Sequence, residues 1–378
     1  MVYLDYSATT PVDKEVLDSF VQVTDKYIGN PNSLHKLGMD AKKLIDEATN
    51  QIASLLKVKP SEVIYTSGAS EANNTAIKGI CFKYMSRGKH IITTKLEHSS
   101  VTAPIAYLQS KGFDVDFVNL DSNGKVDIEH LKSLIRDDTI LVSIASVNSE
   151  VGVIQPIEEI ALLLKQYKKV YFHSDMTQSI GRLDISLENI DLVSFSAQKI
   201  YGLKGVGCLI KKENIVIEPL IHGGKSTTIY RSGTPAISLI ASISKALRLI
   251  CEKREENYSY VLKLNTYLKE QLSNNKYIHI NSNNYSSPYI LNISVDNIKP
   301  ETMLHALEKE EIYISTQTAC SSKSDYSLAV YEVTKDKELA RHSIRISLSH
   351  LTTKEELNYF IKVINEKIEN LESLYESN

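Results

Sequence analysis

Long apolar runs are missing from this chain: stretches such as 161–164 fall far short of a bilayer span, so a membrane partner is not expected. Cysteine is scarce. Cys81, Cys208, Cys251 and Cys320 lie scattered without paired spacing, which argues against a disulfide framework and against a zinc site. With 15 glycines and 9 prolines the chain is not linker-rich or fibrous. Neither sign of charge prevails, and a net charge of -3 gives no general pull toward DNA or RNA, so direct nucleic-acid binding is not expected. The opening "MVYLDYSATT" has no basic start followed by an apolar signal core, so the expected location is cytoplasmic.

What is present fits a soluble globular enzyme: 42% apolar and 24% charged residues in a chain of 378, longer than one core usually supports, so two domains are expected. Short β-branched or apolar segments at 63–66, 90–94, 115–119, 140–146, 170–174, 192–196 and 207–210 alternate with amphipathic runs. That order predicts an α/β sheet of mostly parallel strands flanked by helices. After Pro235 the texture changes. One long helical stretch from Ala236 to about Leu272 precedes "YILNISV", "EIYISTQ" and "SIRISLS", read as strands of a smaller α+β unit completed by the N-terminal segment. The boundaries expected are 14–252 for the large domain, and 1–13 with 253–378 for the small one. The charged tail after Thr353 reads as a solvated amphipathic helix.

Ligands of such sheets gather at the carboxyl ends of the strands. In "YTSGASEANN" a strand ends at Thr66, Gly68 permits a tight turn, and a helix starting near Ser70 would turn free N–H groups and a hydroxyl toward an anion such as a phosphate. An ordinary capped strand–turn–helix reads the same residues equally well. In "VYFHSDMTQSIG" Asp175 and Gln178 follow a buried-looking strand, where a lone aspartate is more often a helix cap. In "VSFSAQKIYG" Lys199 stands just beyond an apolar strand, where a lone lysine usually snorkels to the surface. Together the three supply what pyridoxal phosphate needs: a phosphate cup with Ser196 and Gln198 beside it, a carboxylate for the ring nitrogen, and an amine for the Schiff base. His98 in "KLEHSSV" could stack on the ring and move protons, although a structural histidine is the commoner explanation for that residue alone.

From end to end the motifs "YLDYSATTP", "GNPNSLHKLG", "YTSGASEANN", "EHSSV", "VNSEVGVIQP", "HSDMTQSIGRL", "SFSAQKIYGLKGVG", "RSGTP", "TACSS" and "SIRISLS" occur in an order that resembles the NifS/IscS-type cysteine desulfurases. These belong to the class V branch of the pyridoxal-phosphate enzymes of fold type I. The resemblance implies a homodimer that converts L-cysteine to L-alanine and passes sulfur, as a persulfide, to an acceptor protein for iron–sulfur cluster assembly or for tRNA or thiamine thiolation. By the same resemblance Lys199 carries the Schiff base, Asp175 pairs with the ring nitrogen and Gln178 with the ring hydroxyl. His98 stacks on the ring and shuttles protons, while Ala69, Ser70, Ser196 and Gln198 hold the phosphate, joined by Thr234 from the neighbouring subunit. Asn148 and Arg345 bind the substrate on its carboxylate side, the arginine through its planar fork. Cys320 is the nucleophile, and an iron–sulfur cluster contact at Cys320 during transfer is a further expectation. The "TACSS" form resembles the members with a long catalytic loop.

The residues around Cys320 support that role independently, because "CSSKSDYS" is polar and without apolar anchors, whereas Cys81, Cys208 and Cys251 fall in helix or strand patterns and read as buried inert thiols. A sulfur carrier must visit a buried site and then an acceptor, which suits an exposed loop. The chain departs from the family pattern at Gln198, where histidine is usual, at Leu203 for proline, at Ser226 and Thr227, and at Ser349 for glycine. Two other readings share these residues: a lyase or transaminase for another small amino acid such as selenocysteine, and a catalytically weak scaffold for a sulfur acceptor.

Overall fold

The computed structural model describes residues 1–316 and 325–376. A seven-stranded sheet runs in the spatial order Val63–Thr66, Gly207–Lys211, Leu192–Ser196, Tyr171–Asp175, Thr139–Ser143, His90–Thr93, Asp114–Phe117. Gly207–Lys211 is antiparallel to both neighbours and the other pairings are parallel, so the expected mostly parallel α/β sheet is present. Six of its strands are almost wholly buried because helices cover both faces, whereas the edge strand Asp114–Phe117 is partly exposed. Ile91, Leu141, Leu192 and Leu209 pack with Ala76, Ile77 and Ile80 of the helix Ala69–Tyr84, whereas Ile92, Val142, Val193 and Ile210 pack on the other side with Val16, Ile52 and Ile243.

A second apolar cluster joins Val2 and Leu4 to Leu264, Ile293, Ile346 and Phe360 around an antiparallel sheet, in which Ile290–Val295 lies between Ile278–Ile280 and Ser343–Ser347. The first residues of the chain belong to this unit: Val2–Tyr3 pairs in parallel with Ile312–Tyr313, and Ser347 N–H donates to Leu4 C=O at 2.7 Å.

Three expectations need correction. The helical stretch after Pro235 is two helices, Ile237–Glu252 and Arg254–Leu272, because Lys253 leaves helical geometry at φ -109° and ψ 13°. The tail helix Lys354–Glu376 is not merely solvated, since Leu357, Phe360, Val363, Ile364 and Ile368 recur at helical spacing and are buried in the second cluster. Cys81 and Cys208 are fully buried as expected, but Cys251 is only partly so.

The topology brings the chemistry-bearing segments to one sheet edge. Through two successive antiparallel pairings, Val63–Thr66 points the same way as the central strands. The turn at Ser67–Gly68, the segment 94–98, Asp175 and the turn Ala197–Lys199 therefore all emerge from carboxyl ends. Gly207 makes this close approach feasible. A β-carbon there would lie 2.6 Å from Phe195 O and 2.7 Å from Gly68 Cα, both backbone atoms that cannot turn aside. Gly207→Ala is therefore expected to cost about 1–3 kcal/mol through overpacking and to displace the Gly68 turn. Chemical denaturation of wild type and variant measures it, and an unchanged midpoint would show that the sheet edge yields without cost.

Candidate active site

At this edge a cavity of about 440 Å³ opens between the sheet and the N-terminal segment. Lys199 follows the strand Leu192–Ser196 in a short 3-10 turn that drives its side chain back across the sheet edge rather than out to solvent. Its Nζ donates to Ser7 O at 2.6 Å and to Ala8 O. Removal from water, followed by the charges of Arg345 and Arg182, lowers its pKa from the usual lysine value to about 8, against the opposing pull of Asp5 and Asp175. The amine is thus within reach of its neutral, nucleophilic form near physiological pH. Arg182 also fixes the turn itself, donating from Nη2 to Lys199 O at 2.6 Å, while Gln178 donates from Nε2 to Ser7 O at 3.1 Å.

The anion end of the cavity is the turn before the helix Ala69–Tyr84. Gly68 adopts φ +154° and ψ -179°, a geometry that a β-carbon disfavours, and it offers no capping side chain to the first helical N–H groups. Ala69, Ser70, Ser196 and Gln198 line the cavity around this helix start. Glu71 braces the turn by accepting from Ser67 N–H at 2.7 Å and from Arg231 Nε at 2.9 Å.

Asp175 ends its strand with the carboxylate at the cavity, where Oδ1 accepts from Thr177 N–H at 2.9 Å and Oδ2 from Asn73 Nδ2 at 2.8 Å. Beneath it, His173 is fully buried between Ser143 Oγ and Ser194 Oγ, and burial pushes its pKa down to about 4, so it stays neutral. His98 lines the cavity as the N-cap of the helix Ser99–Gln109, and burial lowers its pKa as well. Its neighbour Glu97 accepts from Thr94 Oγ1 and Ala145 N–H, and desolvation pushes that carboxyl up to about 8.

Arg345 reaches the cavity from the second sheet, donating from Nη1 to Ser149 O and from Nη2 to Asp5 Oδ1, both at 2.9 Å. Its Nε is buried without a hydrogen-bond partner, so Asp5 and Ser149 do not exhaust the guanidinium's donors. Asn148 stands differently from expectation. Its side chain does not line the cavity but ties the loop behind it, donating to Leu96 O and accepting from Glu150 and Val151 N–H. Nor does Thr234 line this cavity in its own chain; it borders a smaller one with Ser67, Gly205 and Arg231. Cys320 lies outside the described residues.

Sequence reasoning missed Asp5, Ser7, Ala8, Asn73 and Arg182. Ser7 and Ala8 act through backbone carbonyls, which carry no residue signature, and the other three act through partners distant in sequence. The departure at Ser349 has a physical account: the side chain is fully buried, with its Oγ 2.6 Å from the Tyr201 hydroxyl.

These residues fit pyridoxal phosphate. An uncapped helix start suits its phosphate, a strand-end carboxylate its ring nitrogen and a desolvated amine its aldehyde. The family model for "Aminotransferase class-V" matches residues 2–360. A protein named cysteine desulfurase IscS from Dictyoglomus turgidum is 38% identical over 99% of this chain and 96% of its own length. A solved structure titled NIFS-like protein superposes with a TM-score of 0.92 at 37% identity, covering 97% of this chain and 99% of that one. Another, titled SspA in complex with cysteine, gives a TM-score of 0.82 at 31% identity over 93% of this chain and all of its own, 100%. A match of this extent, over a site with a desolvated lysine, a strand-end aspartate and a glycine-turned anion cup, means that the chain belongs to the class-V aminotransferase family, among the NifS/IscS-type cysteine desulfurases.

Proposed function

We propose that this protein is a pyridoxal-phosphate-dependent L-cysteine desulfurase that releases L-alanine and hands sulfur to an acceptor protein. The observation that carries the reading is the Lys199 amine, desolvated toward its neutral form and held in one cavity with Asp175, the Gly68 cup and Arg345. Names of relatives supply the substrate class, and one of the solved structures is titled as a complex with cysteine. When bound, pyridoxal phosphate supplies an electron sink for the bonds at the substrate's Cα.

The chain's own residues then divide the work. Arg345 lines the cavity as a cation suited to the substrate carboxylate, while Asp5 holds its Nη2 so that the guanidinium keeps one orientation. Lys199, neutral above about pH 8, is the group with an available lone pair for proton transfer beside Cα. Sulfur leaves through Cys320: its thiolate attacks the substrate sulfur, an S–S bond forms as the C–S bond breaks, and the bonding pair stays with the carbon fragment, which takes a proton and departs as alanine. Thr234, exposed and turned away from its own chain's cavity, is assigned to the cup of a second subunit in a homodimer. No helix among the described residues is long and apolar enough to cross a membrane.

The first consequence is a pH dependence. Only the neutral amine attacks an aldehyde, so the rate of pyridoxal phosphate uptake by cofactor-free protein should rise with pH, reach half its limit at about 8 and level off roughly a unit above that. Stopped-flow absorbance checks this, and a rate independent of pH between about 6.5 and 9 would contradict the shifted amine.

Replacing Arg345 by lysine keeps the charge but loses the fork, and should raise KM for cysteine by roughly tenfold or more with a smaller change in kcat. Steady-state alanine formation measures both constants; an unchanged KM would remove Arg345 from substrate binding.

Cys320→Ser should bind cofactor with the same yellow colour as wild type, yet form alanine at least about a hundredfold more slowly, because a hydroxyl is a far weaker nucleophile at neutral pH. Alanine and protein-bound persulfide, assayed at equal cofactor loading, decide it, and near-normal alanine release would mean that another group takes the sulfur.

A further inference from the structure

His98 is hydrogen-bonded in a way that the expectation of a proton shuttle does not anticipate. Its Nδ1 accepts from Ser100 N–H at 3.1 Å and lies 2.8 Å from Ser100 Oγ. A backbone N–H can only donate, so Nδ1 must carry a lone pair and the ring proton must sit on Nε2. The direction of the second bond follows from Asn73. That amide is fully buried, and its Nδ2 donates both to Asp175 Oδ2 and to Ser100 Oγ, each at 2.8 Å. The reverse orientation of the amide would set its oxygen against the carboxylate. The observed one is adopted although it leaves Asn73 Oδ1 buried without a partner. Having accepted from Asn73, the Ser100 hydroxyl turns its own hydrogen toward His98 Nδ1.

We propose that Asn73 and Ser100 are positioning residues: a directed hydrogen-bond chain from Asp175 through both of them holds the resting His98 as the Nε2–H tautomer, so that the ring meets substrate as a neutral hydrogen-bond donor. Protonating His98 would place a hydrogen on Nδ1 against the Ser100 N–H, and nothing else among the described residues hydrogen-bonds to Nε2 to compete with a ligand atom. The charged groups that act on the ring are Asp175 and Glu150, which favour protonation, and Lys199 and Arg345, which oppose it; burial is the largest influence and also opposes it. In this arrangement Nε2–H can orient an anionic substrate atom, a carboxylate oxygen or a thiolate.

The use made of that donor rests on the desulfurase reading, but the tautomer does not, and the experiment separates them. Nitrogen NMR of isotope-labelled histidine in the cofactor-free protein, with the His98 signal identified by its loss in His98→Gln, should show Nε2 protonated and Nδ1 bare at neutral pH. Ser100→Ala removes one donor to the neutral ring and should raise the His98 titration midpoint by roughly half to one pH unit, with Ser100→Thr restoring it. A wild-type ring protonated on Nδ1, or a midpoint unmoved in Ser100→Ala, would overturn the chain whatever the enzyme's activity. With cysteine, His98→Gln, which keeps a neutral donor, should retain at least about tenfold more alanine formation than His98→Leu, whereas equal loss in the two would overturn the donor role and leave the desulfurase reading standing.

Discussion

The site depends on one contact of unusual kind: an ammonium-bearing side chain held by two backbone carbonyls of a segment that lies far away in sequence. Ser7 O and Ala8 O receive the Lys199 amine in a place that burial and two arginines make unfavourable for a full positive charge. Carbonyl dipoles are weak partners for a cation compared with a carboxylate, so they orient the amine without locking its proton in place. An aspartate at either position would have raised the pKa instead. The rest of the cavity is arranged around this compromise, with Asp175 close enough to be felt and not close enough to pair, and with Arg182 anchoring the lysine's own backbone rather than its head.

Around that amine the polar groups act in braces rather than singly. Glu71 ties the anion turn to Arg231, Asn148 ties the loop behind Leu96, and Arg345 is steered by Asp5 from the opposite end of the chain. Buried donors and acceptors without partners are costly, and the arrangement leaves such atoms on residues that line the cavity, Arg345 Nε and Ser7 Oγ among them.

Much of this was legible in the sequence, and the limits have physical causes. The strands were readable because helices bury both faces, so that "LVSFS" and "TILVS" are near-continuous apolar runs bounded by turns. Lys199, Asp175 and Gly68 were readable because they stand at strand ends, where residue type and position together mark a ligand edge. The tail helix was misread because its charged residues outnumber the apolar stripe that packs Phe360 and Ile364 inward. The break at Lys253 carries no glycine or proline, so no local signal announces it. Asn148 carries a type suited to binding substrate, yet its amide is spent on neighbouring backbone, a distinction that exists only in three dimensions.

The threading of the first residues has a consequence for how the molecule comes into being. Leu4 C=O accepts from Ser347 N–H, Asp5 pairs with Arg345, and Ser7 and Ala8 close over Lys199, so a segment around residue 5 is secured by one around residue 345. The seven strands of the large sheet all lie between residues 63 and 211, whereas the strand Ser343–Ser347 that secures the segment around residue 5 follows more than a hundred residues later. Closing so long a loop is slow compared with local helix and strand formation. The lowered pKa of the Lys199 amine is therefore a property of long-range closure rather than of its own strand and turn: without the strand Ser343–Ser347 in place, neither Arg345 nor the segment held by Ser347 would stand beside it.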